Sequence, residues 1–65
     1  MDKELRPEDC RREVIGPTLH GGVRTMLFFF NENDKPCLEN DSKKLLAIEY
    51  DADGNEVFSI HGFRR

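Results

Sequence analysis

The chain has 65 residues and a mass of 7.6 kDa, enough for one small domain, taken as residues 1–65. Ten Lys+Arg against 13 Asp+Glu give a net charge of −3, which argues against an unaided nucleic-acid binder or a ligand for anionic membranes. A chain this short buries only about 60% of the surface its unfolded form exposes, so a buried active-site cleft is hard to fit.

Residues 1–22 read as an N-terminal arm, distinct from the rest. Met1–Glu13 is charge-dense, with Leu5 and Cys10 as its apolar members after Met1. Pro7 can open a short helix, where its missing N–H costs nothing, with Glu8 and Asp9 in the first turn and Arg11 and Arg12 in the last. The expectation is a helical turn over 7–13, since seven residues do not sustain an isolated helix. Val14-Ile15 reads as a short extended, buried pair. Gly16–Gly22 (GPTLHGG) is a breaker-rich connection.

Val23–Phe30 (VRTMLFFF) is the clearest strand, ending at Asn31-Glu32-Asn33-Asp34. Met26, Phe28 and Phe30 line one side; Val23, Leu27 and Phe29 line the other. A strand apolar on both sides is usually central and covered twice. The arm, through Leu5, Val14, Ile15 and Leu19, can cover one side. The other is left to a partner or to the 31–42 connection through Leu38.

Residues 43–50 (KKLLAIEY) fit a helix capped by Asp41 or Ser42, or a strand. The next residues decide for strand. Asp51–Asn55 (DADGN) leads into Glu56–Phe63 (EVFSIHGF), and a type I turn with Gly54 left-handed makes a bulged hairpin. Tyr50 opposite Glu56 then places Ile48 opposite Phe58 and Leu46 opposite Ile60, all four apolar residues on one face. Phe30–Leu38 echoes Tyr50–Phe58: an aromatic residue, Asx, any residue, Asx, a turn residue, then an apolar pair. Similar turn chemistry explains the echo, with a short return strand at 36–38 or the start of the connection to 43.

The fold expected is mainly β, with small α+β as the alternative class. A three-stranded antiparallel sheet at about 23–30, 43–50 and 56–62, within residues 23–63, carries an arm with at most a short helix. The longest apolar run, Met26–Phe30, is far below a membrane span. Met1-Asp2-Lys3-Glu4 lacks a signal-peptide core, and the expectation is a cytoplasmic protein.

The candidate chemistry is sparse. Cys10, His20, Cys37 and His61 are the residue types of a zinc site but lack its close ligand pairs. Cys10 and Cys37 could pair only in an oxidising setting. Asp51-Ala52-Asp53-Gly54 resembles part of a calcium loop, but Ile60 stands where that loop needs a bidentate Glu. The Gly16–Gly22 segment matches no phosphate-binding fingerprint. Thr18 and His20 lack an identifiable third group to orient them as nucleophile and base. Phe28-Phe29-Phe30 with Arg24 suggests a stacking platform for single-stranded nucleic acid, the alternative function, yet nearby acids outweigh the bases. Arg11-Arg12 and Arg64-Arg65 read as solvated. No catalytic residue, metal ligand or cofactor is assigned. The expected function is a non-enzymatic protein-interaction module, an inhibitor, adaptor or accessory subunit, that binds a protein partner or forms a homodimer. The contacts are drawn from Met26, Phe28, Phe30, Leu46, Ile48, Phe58 and Ile60.

Overall fold

The structure, a computed structural model, describes residues 5–63; the readings made for Met1–Glu4 and for Arg64-Arg65 lie outside it. It is mainly β. Four strands, β1 (Arg11–Ile15), β2 (Arg24–Phe30), β3 (Lys44–Tyr50) and β4 (Glu56–Phe63), form one sheet in the order β1-β2-β3-β4. Every neighbouring pair is antiparallel. Two 3-10 turns, Pro7–Asp9 and Glu39–Asp41, complete the regular structure.

The expected three strands are therefore four. The helical turn shrinks to Pro7–Asp9, and Arg11–Ile15 pairs with the outer edge of β2 from Arg11↔Phe28 to Ile15↔Arg24. An edge of β2 offers the inward-facing backbone groups of this segment ladder partners and extends an existing sheet, whereas seven residues of isolated helix leave most such groups unpaired. Val14 and Ile15 are extended, as read, but exposed rather than buried: Ile15 is 72% exposed. An edge strand in a single layer has nothing above or below it.

The segment at 43–50 is a strand, not a helix. The Ser42 hydroxyl donates to the Glu39 carbonyl at 2.7 Å and so ends the preceding 3-10 turn. The two tight turns share one design. The Asn31 side-chain oxygen accepts the N–H groups of Asn33 and Lys35, and the Asp51 carboxylate accepts those of Asp53 and Asn55. In each, the first residue's N–H donates to the fifth residue's carbonyl at 2.9 Å. The fourth residue is left-handed in both: Asp34 at φ 63° and Gly54 at φ 86°. The echo in the sequence is thus a repeated turn, and the first copy does return, through a bridge between Phe30 and Pro36.

The β3–β4 register departs from the expected one. Tyr50 faces Glu56, as read, but Glu49 faces Phe58, because Val57 is an extra residue in a bulge. Beyond it, Ile48 faces Ser59, Ala47 faces Ile60 and Leu46 faces His61. A one-residue shift moves every later side chain to the other face. Phe58 and Ile60 therefore leave Leu46 and Ile48 and join Ala47 and Glu49.

Gly54 has the backbone angle its turn requires. Gly54→Val places a β-branched residue at positive φ, where an L side chain costs about 1–2 kcal/mol. Urea unfolding should show a loss of that size with an unchanged slope, and an unaltered midpoint would contradict the turn.

Candidate protein interface

Alternation along the strands divides the sheet into two faces. The front face carries Met26, Phe28 and Phe30 of β2 beside Ile48 and Leu46 of β3, as cross-strand pairs Met26↔Ile48 and Phe28↔Leu46. All five are only half-buried. Among the described residues, extensive contact between elements is confined to neighbouring strands, and none of these elements packs extensively across this face. Five of the seven expected contact residues are brought together here. The other two, Phe58 and Ile60, lie on the back face.

Two of the charges on the front face are paired within the chain, while Arg11, opposite Phe28, and Glu56, opposite Tyr50, stand on its two outer strands. At one end Arg24 donates to Glu13 at 2.8 Å, and its guanidinium lies 4.9 Å from the centre of the Tyr50 ring. At the other end Lys44 donates to Asp34 at 2.6 Å and stands 5.9 Å from the centre of the Phe63 ring. Beside Lys44 lies an open groove of about 400 Å³, walled by Phe30, Leu46, His61 and Phe63. Phe63 is 83% exposed, a large ring at the rim that the sequence reading did not single out.

The back face has a short cover, and its residues differ from those expected. Leu19 is 95% exposed, Leu38 53%, and Val14 and Ile15 also face solvent. The cover is polar. The Gly16–Gly22 connection folds over so that the His20 ring stacks on Phe58 with centroids 3.7 Å apart. The Glu49 carboxylate holds it there. It accepts the His20 backbone N–H at 3.2 Å and pairs with the His20 Nδ1 at 2.9 Å. Hydrogen bonding from the Thr18 hydroxyl, then from His20, keeps the Glu49 carboxyl below the usual carboxylate range. Thr18 Oγ1 in turn accepts the Gly22 N–H at 2.7 Å. Glu49 is therefore the third group that the Thr18–His20 pair lacked. It takes a hydrogen bond from each, so the arrangement is a clasp and not a nucleophile–base relay. A lone carboxylate between Ile48 and Tyr50 in an apolar strand was its signal.

Gly22 lets the connection close. A Cβ there would stand 2.7 Å from the Tyr50 carbonyl oxygen and 2.8 Å from Thr18 Oγ1. The adjacent Val23 N–H donates to that same Tyr50 carbonyl at 2.8 Å, so the contact belongs to the sheet.

The remaining candidates do not converge. Cys10 and Cys37 lie at the Phe29 end of the back face, His20 at the Phe58 end, and His61 on the front face. Among the described residues no three such side chains form a metal-sized group. The Asp51 carboxylate is occupied by its own turn. The three phenylalanines split, with Phe29 buried on the back and Phe28 and Phe30 in front. Comparison with protein-family models, with curated proteins and with solved structures gave no match.

Two predictions test the clasp. Glu49 has a depressed pKa in the folded chain, so its contribution is present at neutral pH and above the unfolded value of about 4.3, and is lost as pH falls through the folded value. Glu49→Gln should lower the thermal midpoint at pH 7 and flatten its decline in acid; identical acid profiles would remove the clasp from the account. Gly22→Ala should cost roughly 1–3 kcal/mol by overpacking against backbone, measured by urea unfolding, and a cost near zero would show that the connection closes elsewhere.

Proposed function

We propose that the chain is a non-enzymatic protein-interaction module that works as a homodimer, front face against front face. One observation carries the reading: a strand apolar on both sides lies inside a single-layer sheet whose front face no described element covers. Stable domains pack two layers around a core, and this chain supplies one. Its dimensions agree. The Cα radius of gyration is 12.6 Å, against about 10.7 Å for a compact chain of this length. Its accessible surface is 5156 Å², against about 4,300 Å² for a compact monomer of this mass. The excess is close to the ~800 Å² that each partner buries in a standard interface.

The charge pattern favours a second copy over a charged partner. Arg24 and Lys44 are already paired with Glu13 and Asp34, and the outer strands add one base, Arg11, and one acid, Glu56, so the flanks of the apolar centre carry opposite signs that suit a second copy. Two such sheets pack about 10 Å apart with their strands within about 30°. The exposed Phe63 ring and the neighbouring groove lie at the rim, where a ring from one copy can enter the groove of the other. As a dimer the module can serve as an inhibitor, adaptor or accessory subunit through its edges and back face.

Sedimentation at micromolar concentration should give twice 7.6 kDa. Phe63→Ser should leave the isolated chain folded, because the ring is exposed there, yet weaken association. Phe28→Asp should weaken it further, by about 1.5–3 kcal/mol per buried ring, which for the two rings of a homodimer is roughly a hundred-fold or more in Kd. A 7.6 kDa monomer that binds no apolar dye would overturn the proposal, and so would dimers indifferent to both substitutions.

A further inference from the structure

Three apolar residues are buried among those described: Cys10 at 2% exposed, Phe29 at 4% and Cys37 at 7%. They form one cluster, and it includes both cysteines of the chain. The Phe29 N–H donates to the Cys10 carbonyl at 2.9 Å, and the Phe29 carbonyl accepts the Cys37 N–H at 3.2 Å. In an antiparallel ladder one residue normally provides both of those partners. Here the position is divided between two. Continuing the β1–β2 register past Arg11↔Phe28 puts Cys10 opposite Phe29. Continuing the Phe30↔Pro36 bridge by one residue puts Cys37 there as well. Both segments run antiparallel to β2 on the same side, so the short return at 36–37 lies in line with β1, and the two cysteines meet at the break. Residues opposite one partner share its face, so both side chains lie on the back of the sheet against the Phe29 ring.

We propose that Cys10 and Cys37, held as thiols in this structure, are the two halves of a reversible intramolecular disulfide that staples the arm to the 36–38 return. A bridge needs Cα atoms about 4.4–6.8 Å apart and side chains on a common side. The two hydrogen bonds to Phe29 bring both residues to one ladder position, where a bridge of that span closes without moving the sheet. The oxidant is a low-molecular-weight disulfide of the glutathione type. One cysteine, as thiolate, attacks a sulfur of that disulfide, which expels one small thiol and leaves a mixed disulfide. The second cysteine, after losing its proton, attacks the protein-bound sulfur and expels the second small thiol. Two protein thiols become one S–S bond, and one small disulfide becomes two small thiols.

Burial, and then the Asp9 carboxylate, push the Cys10 thiol above its ordinary pKa, so the closed cluster resists attack. Exchange follows lifting of the arm, the part of the sheet least held: β1 has five residues, all exposed, at an edge. The device stays reduced while the arm is closed and is locked when an oxidising setting finds it open. It acts on the back of the sheet and is independent of front-face association.

The test is equilibration with oxidised and reduced glutathione, folded and in urea, followed by alkylation and intact mass. The folded chain should lose the mass of two hydrogens, carry no glutathione and remain a single covalent chain. Its bridge should be on the order of a few hundred-fold more favourable than in urea, the factor by which an unstrained bridge across this loop favours folding. The oxidised form should melt about 10 °C or more above the reduced one. Cys10→Ser and Cys37→Ser should each hold a stable single glutathione adduct instead, with the corresponding alanine variants in reserve should either serine variant fail to fold. Independent adducts on both cysteines, a covalent dimer, a bridge no more favourable than in urea, or an oxidised form that melts lower would each overturn the proposal.

Discussion

The structure depends on β2, a strand with large apolar side chains on both sides placed inside a sheet only one layer thick. Phe29 is buried behind it, while Met26, Phe28 and Phe30 are half-buried in front. A small domain has little net stability to spare, and each uncovered large side chain withholds about 1.5–3 kcal/mol. Everything else in the fold concerns how that strand is flanked. β1 and β3 satisfy its backbone, the Phe29 cluster and the His20 connection cover parts of the back, and the front is left open among the described residues.

The bulge at Val57 decides how the two faces divide the apolar residues. Without it Phe58 would stand opposite Ile48 and enlarge the front patch. With it Phe58 stands opposite Glu49, where the His20 ring stacks on it, and Ile60 stands opposite the small Ala47. The outer part of the front face then takes Ser59, His61 and Phe63 from β4. The bulge thus narrows the apolar stripe to β2 and β3 and puts polar groups beside it. A narrow apolar stripe beside polar groups has the core-and-rim layout common in protein interfaces.

The back face is fastened at its two ends by different chemistry. At one end a carboxylate gathers a hydroxyl, an imidazole and a backbone N–H. At the other, a divided strand position joins two buried cysteines to a buried phenylalanine by backbone hydrogen bonds. Neither end buries the middle of the face, where Ile60 is 56% exposed. The chain is held by local clasps and ladders rather than by a continuous core, which places its openings at the arm.

Much of the sheet was legible in the sequence because strands and turns are local. The alternating and aromatic run at 23–30 marks a strand by its own residues. Asn31 and Asp51 mark their turns because each side chain bonds the backbone two and four residues on. The five-residue front patch followed from β2 and β3, whose alternation is uninterrupted. What the sequence did not disclose was set by contacts far apart along the chain. Arg11–Ile15 has little strand character of its own and becomes one because β2 has an edge to offer. The bulge at Val57 changes no residue type, so only the pairing of Phe58 with Glu49 and His20 reveals it. Glu49 reads as an ordinary strand carboxylate until the connection at 16–22 folds over it. The cysteines are 27 positions apart in the sequence, and they meet because two separate segments complete a single ladder position beside Phe29. Local propensity determined which segments extend and where they turn; the choice of neighbour and face was made by the tertiary structure, because register and cover depend on packing that no single segment contains.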